Sequence, residues 1–332
     1  MGKQPHFQTV DIGRDFVLQG EHPDVAVRDV ADRPLPAAKI IVVANEKGGV
    51  GKSTLAFHLC IALADAGLKV AAVDLDRRQQ SLCTALNRRD ATARRMGIAL
   101  PSPRHVVLER QSGSLLCQEI GRIGITSDVV IIDVAGSDSN IARRALAIAD
   151  TLLTPINSSF VDIDLLGKLD PISCELVAPG CFSIVVNEIR ASRARFSLPP
   201  LDWVVAQNRV RGGSSHNQSR FDAALESMAP ALGFRLAPGL SDRVAYRELF
   251  LLGLTHLDVR RLPEVGRARP EAQREILSLV TVLTDMSAAG TEHSFGPAEK
   301  HVDLTGLPGL DCPAVPGSAP CIGGQAPDNH AA

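Results

Sequence analysis

Aromatic residues are scarce in this sequence of 332 residues: they make up 4% of the chain, with one Trp and one Tyr. The core must then be built from Ala, Leu, Ile and Val, the side chains that fill helix-covered parallel sheets. Cysteine is equally thin, seven residues with no C-x-x-C pair, which excludes a disulfide scaffold and leaves zinc or an iron–sulfur cluster without ligand spacing. That usage points to a reducing cytoplasm. Excess charge is missing too, since 35 Lys and Arg nearly balance 37 Asp and Glu for a formal charge of -2. A globally basic nucleic-acid binder is excluded, although a local basic face is not. No apolar run reaches the roughly 18 residues of a membrane span, and the N-terminus lacks the apolar core of a signal peptide. Position 6 is His where a myristoylation motif requires Ser or Thr. None of the nine histidines stands in an H-E-x-x-H pattern, so Mg²⁺ is the only metal expected.

What is present is ordinary globular material, 45% apolar and 22% charged, enough for a sizeable core. Residues 1–37 mix charges with Pro23, Pro34 and Pro36 without apolar periodicity and read as a mostly flexible arm. From residue 289 onward Gly and Pro recur too often for helix or strand, so 289–332 reads as a disordered tail that carries Cys312 and Cys321. Residues 38–288 between them form one domain. Apolar runs predict strands at Ile40–Ala44, Val70–Val73, Val129–Ile132, Leu152–Leu153, Phe182–Val186 and Trp203–Val205. Helical spacing predicts helices at Thr54–Ala66, stopped by Gly67, and at Ala142–Ala149, Ser219–Met228 and Glu271–Thr284. Continuous apolar strands alternating with helices imply an α/β fold whose mostly parallel sheet is covered on both faces.

Directly after the first strand comes Lys47-Gly48-Gly49-Val50-Gly51-Lys52-Ser53-Thr54, and a helix starts at its end. Glycines let backbone N–H groups turn inward around phosphate oxygens, and the helix N-terminus adds its dipole. Lys52 is placed to reach the β- and γ-phosphates and the Ser53 hydroxyl to bind Mg²⁺. Asp133 ends an apolar strand, where a carboxylate can hold Mg²⁺ through water. Gly136 follows it and could let a backbone N–H approach a γ-phosphate. Asp74 and Asp76 end the second strand on one side of it, and one of them could orient water. A strand-end Asp is also a common helix cap, and that alternative stays open for both.

The block Glu46-Lys47-Gly48-Gly49-Val50-Gly51-Lys52-Ser53-Thr54 resembles the deviant Walker A motif of the ParA/MinD ATPases, which belong to the P-loop NTPases. Within them the chain is most similar to the MipZ family of division-plane positioning ATPases. Asn45-Glu46 before the loop, Asp74 to Gln80, Ser159 to Asp164, Asp202 to Val205, Asn208-Arg209 and Pro238 to Phe250 carry that likeness, which spans about residues 38–285. The resemblance implies that ATP and Mg²⁺ are bound, with Lys52 as the phosphate lysine and Lys47 as the signature lysine that reaches across a nucleotide-sandwich homodimer. Gly48, Gly49, Val50 and Gly51 would line the phosphates, with Thr54 on the α-phosphate. Ser53 and Asp133 would serve Mg²⁺, Asp76 would position water, and Asn208 would read adenine beside the Pro238 loop. The implied activity is slow ATP hydrolysis in a regulator of cell division. Its implied partners are a second copy, a ParB-like centromere-binding protein, FtsZ and non-specific DNA, with the nucleoid or pole as place of association. No basic amphipathic C-terminal helix of the kind that anchors MinD to membranes is visible.

Two departures stand out. Relatives read Asp-Thr-Pro-Gly after the Walker B strand, where this chain has Asp133-Val134-Ala135-Gly136. The basic row that follows Asn208-Arg209 in relatives is replaced here by Gly, Ser, Asn and Gln, with Arg209, Arg211 and Arg220 remaining, so DNA binding is expected to be weak. Arg77, Arg78, Arg143, Arg144, Arg190, Arg193 and Arg195 form either a partner surface or solvated faces. An adaptor that positions another cargo with slow or absent hydrolysis is the alternative function. A kinase or ligase on this fold lacks a visible substrate motif.

Overall fold

The computed structural model describes residues 21–170, 173–208, 216–241, 244–267 and 269–284. Seven strands form one sheet in the order β3-β2-β4-β1-β5-β8-β9. They are β1 (Lys39–Val43), β2 (Val70–Asp74), β3 (Arg104–Val107), β4 (Val129–Asp133), β5 (Thr151–Asn157), β8 (Asp202–Asn208) and β9 (Arg235–Ala237). Every pairing in this sheet is parallel. A separate antiparallel hairpin joins β6 (Gly167–Leu169) to β7 (Leu176–Pro179).

Successive strand residues point to opposite faces, and both faces are buried. Ile40, Val42, Val130 and Ile132 enter one core with α4 (Gly113–Gly124), α5 (Asn140–Ile148), α7 (Cys181–Arg195) and α8 (His216–Leu232). Ile41, Val43, Val129 and Ile131 enter the other with α2 (Lys52–Asp65), α3 (Ser81–Met96), α9 (Val244–Leu251) and α10 (Pro270–Thr284). Trp203 is buried in the first core, where its indole N–H donates to Thr154 Oγ1 at 3.0 Å and Arg190 lies over its ring.

The predicted strand at Phe182–Val186 is instead the first half of α7. Phe182, Val185, Val186 and Ile189 are its buried apolar residues, a spacing of i, i+3, i+4 and i+7 that marks a helix. The short apolar run had hidden that period. The arm reading is corrected as well: residues 23–31 form a helix, α1 (Pro23–Ala31), whose Ala26, Val27 and Val30 are buried in the first core. Residues 1–20 and the expected tail at 289–332 lie outside the described residues, as do Arg209 and Arg211.

Five of the seven arginines held to be a surface are engaged within the fold. Arg143 pairs with Asp138, Arg144 with Glu21 and Asp29, and Arg195 with Asp24. Arg190 donates to the carbonyls of Leu201, Leu232 and Gly233, and Arg193 to those of Ala147 and Pro199. Arg77 and Arg78 remain exposed. On the opposite face Arg89 and Asp258, both fully buried, form a bidentate pair at 2.8 and 2.7 Å that ties α3 to the segment after α9.

His58 on α2 is fully buried beside Phe57 and Tyr246, and its Nδ1 donates to the Thr54 carbonyl at 2.8 Å. Burial lowers its pKa to about 4, and Nε2 has no hydrogen-bond partner. The unfolded chain takes up a proton near pH 6.5 that the folded chain refuses, so this residue's stability contribution is complete above pH 6.5 and is lost as pH falls toward 4. We expect His58→Leu to flatten the melting temperature across that window, removing a pH-dependent loss on the order of 3 kcal/mol. Thermal denaturation of both proteins in steps of pH checks this.

Candidate nucleotide site

The site forms where β1, β2 and β4 end. Their register sets Asp133 beside Asp74 on one side and Val43 on the other, and the loop from Ala44 to Gly51 leads from β1 into α2. Gly51 has φ +90°, and a Cβ there would stand 2.2 Å from Asn208 Nδ2, so neither the backbone nor the space admits a side chain.

Lys52, the first residue of α2, is buried, and its ammonium donates to the Lys47 carbonyl at 2.9 Å across the loop. Burial lowers its pKa, opposed by the carboxylates of Asp133 and Asp76. Ser53 and Thr54 follow, both partly exposed. Gly136 closes over them: a Cβ there would lie 2.9 Å from Lys52 Nζ and 3.2 Å from Gly48. The structure thus brings the strand-end loop against the phosphate loop.

Asp133 is the most unusual group of the set. It is buried, and neither carboxylate oxygen has a hydrogen-bond partner. Burial first, and then the Asp74 charge, push its pKa up to about 8, with the nearby Ser53 hydroxyl and Lys52 opposing. A buried acceptor of this kind is costly unless something positive or hydrogen-bonding occupies the space in front of it. The glycine loop, the Lys52 ammonium, the Ser53 hydroxyl and this orphaned carboxylate are the donor set that a Mg²⁺–nucleoside triphosphate requires, and they fit it.

Asp74 and Asp76 separate into different jobs. Asp74 is buried and accepts from the N–H groups of Asp76, Leu82 and Cys83 at 2.9 to 3.2 Å, so it caps α3. Asp76 is partly exposed; its Oδ1 accepts from the N–H groups of Arg78 and Gln79 at 3.1 and 3.0 Å. Asn208 is buried, and its amide donates to the Val50 carbonyl at 2.8 Å, so here it braces the phosphate loop. The exposed Pro238 precedes Gly239, whose Cβ would fall 1.4 Å from the Gln207 carbonyl, and this close approach holds the loop against the end of β8.

Two residues escaped the sequence reading. Lys47 forms an ion pair with Asp162, a carboxylate with 1% side-chain exposure in the short helix α6 (Phe160–Ile163), whose second oxygen accepts from Asn157 N–H at 3.0 Å. Asn45 links β1 to β5: its amide donates to the Pro155 carbonyl at 2.8 Å, and its oxygen accepts from Lys47 N–H at 2.9 Å. The sequence block around Asp162 was conspicuous, yet only the fold puts it beside Lys47.

The buried carboxylate of Asp133, without a hydrogen-bond partner and beside Asp74, is a stability cost. We expect Asp133→Asn to raise the denaturation midpoint of the nucleotide-free protein at pH 8, by roughly 1 kcal/mol or more, while the stabilisation gained on adding Mg²⁺ and ATP shrinks. Thermal melts with and without Mg-ATP measure both effects.

The family model described as ATPase MipZ matches residues 39–286. The chain is 32% identical over 214 residues to an uncharacterised ATP-binding protein of Methanocaldococcus jannaschii, a match covering 57% of this chain and 79% of the relative. It is 31% identical over 124 residues to protein ParA of Rhizobium radiobacter, covering 37% of this chain and half of that protein. Among solved structures, an ATP complex of a McdA variant from Cyanothece superposes with a TM-score of 0.53 at 19% identity, covering 75% of this chain and 97% of the other; it supports the fold. On the extent of the family match and the phosphate loop that it includes, the chain belongs to the MipZ family of the ParA/MinD ATPase superfamily.

Proposed function

We propose that the protein is an ATP-dependent dimerising ATPase that regulates the place of cell division, a MipZ-like inhibitor of FtsZ assembly linked to chromosome partitioning through a ParB-like protein. The observation that carries the nucleotide reading is the buried, unpartnered Asp133 facing Ser53 and Lys52 on a glycine loop. Lys52 neutralises the β- and γ-phosphates, Thr54 meets the α-phosphate, and Gly48 to Gly51 supply backbone N–H groups. Ser53 and Asp133 hold Mg²⁺, which spreads the phosphate charge when bound. Asp76 orients water with the oxygen that its turn leaves free. Asn208 and the Pro238 loop border the base.

Dimerisation follows from Lys47. Its ammonium is half-exposed and now satisfies Asp162; in the sandwich it exchanges that carboxylate for the γ-phosphate of the facing copy. Leaving the buried Asp162 carboxylate without its partner is unfavourable, so the exchange proceeds only when a triphosphate supplies the differential contact. The alternative, an adaptor with slow or absent hydrolysis, draws on the Val134-Ala135 pair that stands where relatives carry Thr-Pro.

Calorimetry is expected to show ATP binding in the unaltered protein and none in Lys52→Ala; undiminished binding in that variant rejects the nucleotide site. Asp76→Ala is expected to slow hydrolysis and accumulate ATP-bound dimers in light scattering, and a purely monomeric Asp76→Ala with ATP rejects the sandwich. The FtsZ reading is tested by sedimentation of FtsZ polymers, whose yield is expected to fall with the ATP-bound dimer and stay unchanged with Lys52→Ala.

DNA binding is proposed to be weak, because Arg220 lies over the Phe160 ring and donates to Cys174 Sγ at 3.1 Å. Two copies in a dimer double the remaining charge. Band shifts with trapped Asp76→Ala dimer are expected to fade as salt approaches physiological strength; tight binding at high salt contradicts this.

A further inference from the structure

The family match begins at residue 39, yet the structure builds residues 21–33 into the molecule with the care given to a site. Helix α1 seats Ala26, Val27 and Val30, all at most 1% exposed, in the core shared with α4, α5 and α7. Polar groups then fix it at three places. The Glu21 N–H donates to Asn140 Oδ1 at 2.7 Å, and the Glu21 carbonyl accepts from Arg143 Nη1 at 2.9 Å. The Glu21 carboxylate forks Arg144 through two bonds of 2.7 Å, and Asp29 takes the remaining Arg144 nitrogen. Asp24 accepts from Ser192 Oγ at 2.6 Å and pairs with Arg195. Gly113 leaves room for this arrangement, since a Cβ there would lie 2.0 Å from Arg144 Nη1.

These anchors reach the nucleotide site. Arg143, itself 1% exposed, grips Asp138 with bonds of 2.8 and 2.7 Å. Asp138 lies two residues after Gly136, the glycine that touches Lys52 and Gly48. A continuous path thus runs from Glu21 through Arg143 and Asp138 to the loop closed over the phosphate lysine. Beside that loop is a small cavity of about 20 Å³, lined by Glu46, Val134, Ser137, Asp138, Arg143 and Phe182 among others. A Cβ at Gly136 would lie 2.9 Å from the Lys52 ammonium, so this loop borders the space that a terminal phosphate on Lys52 takes.

We propose that residues 21–33 are a detachable brace on loop 134–139: docked, they hold the first turn of α5 and restrain the loop, and undocked, they release it and speed ATP turnover. The brace is built to detach. A nine-residue helix is marginal by itself, its apolar anchor is three small side chains, and its partly exposed ion pairs each contribute little in physiological salt. Turnover as a readout rests on the ATPase reading above; amide exchange does not.

The test uses the full chain in two variants, Val27→Asp, which unseats the apolar anchor, and the double variant Glu21→Ala with Asp29→Ala, which removes the acidic grips. Hydrogen exchange reports whether α1 has undocked and how freely loop 134–139 opens, while β8 serves as the unaffected reference. We expect α1 to lose protection, loop exchange and saturating ATP turnover to rise about five-fold or more, and β8 protection and ATP affinity to stay as they were. A merely structural helix would lower the melting temperature without accelerating turnover. Unchanged loop exchange in variants whose α1 has undocked overturns the proposal, and so does an α1 that stays docked in both. If Val27→Asp does not fold, the double variant decides. If the unaltered protein hydrolyses no ATP, the ATPase reading fails while loop exchange still judges the brace.

Discussion

The pairing of β4 with β1 and β2 places two carboxylates, Asp74 and Asp133, side by side at the end of a buried sheet. Their repulsion and their burial would be unfavourable anywhere else. Asp74 is stabilised by the Asp76 N–H and by two N–H groups at the start of α3, so that helix is held in place by the acid that caps it. Asp133 receives no such help and keeps an unsatisfied demand for positive charge. The phosphate loop, Lys52 and the closure at Gly136 are arranged around that demand.

The same register explains which parts of the fold were legible in the sequence. Ile40 to Val43 and Val129 to Ile132 are apolar without interruption because both faces are covered, and Asp133 stood out against them. The glycine spacing and Lys52-Ser53 fixed the start of α2 to within two residues. Helix α3 was missed because its exposed face carries Arg88, Arg94 and Arg95 and its buried face includes Arg89, whose partner Asp258 lies far along the chain. Segment 182–186 was misread because five residues cannot separate a strand from one and a half turns of helix. Helix α1 was hidden by Pro23 and its charges, of which Asp24 and Asp29 find partners on α7 and α5.

The site shows the same division. Residues whose placement follows from position on a strand or loop, Lys52, Ser53, Asp133 and Gly136, could be grouped from local pattern, and the structure brings them together. Contacts that depend on two distant segments meeting were not legible: Asp162 opposite Lys47, Asn45 on Pro155, and Arg143 on the Glu21 carbonyl. Asp74 and Asp76 could not be told apart by spacing, since only the turn into α3 decides which carboxylate is consumed.

Trp203 is the only tryptophan in the chain, and it is buried on β8 against Phe182 and Phe234 under the Arg190 guanidinium. Its emission therefore reports a single environment, the centre of the α7–α8 side of the sheet, away from the ends of β1, β2 and β4. Loss of that sheet would shift the spectrum toward the red, whereas local opening near the phosphate loop would leave it in place. The molecule thus carries an optical probe that separates global unfolding from motion at its nucleotide site, with no label added.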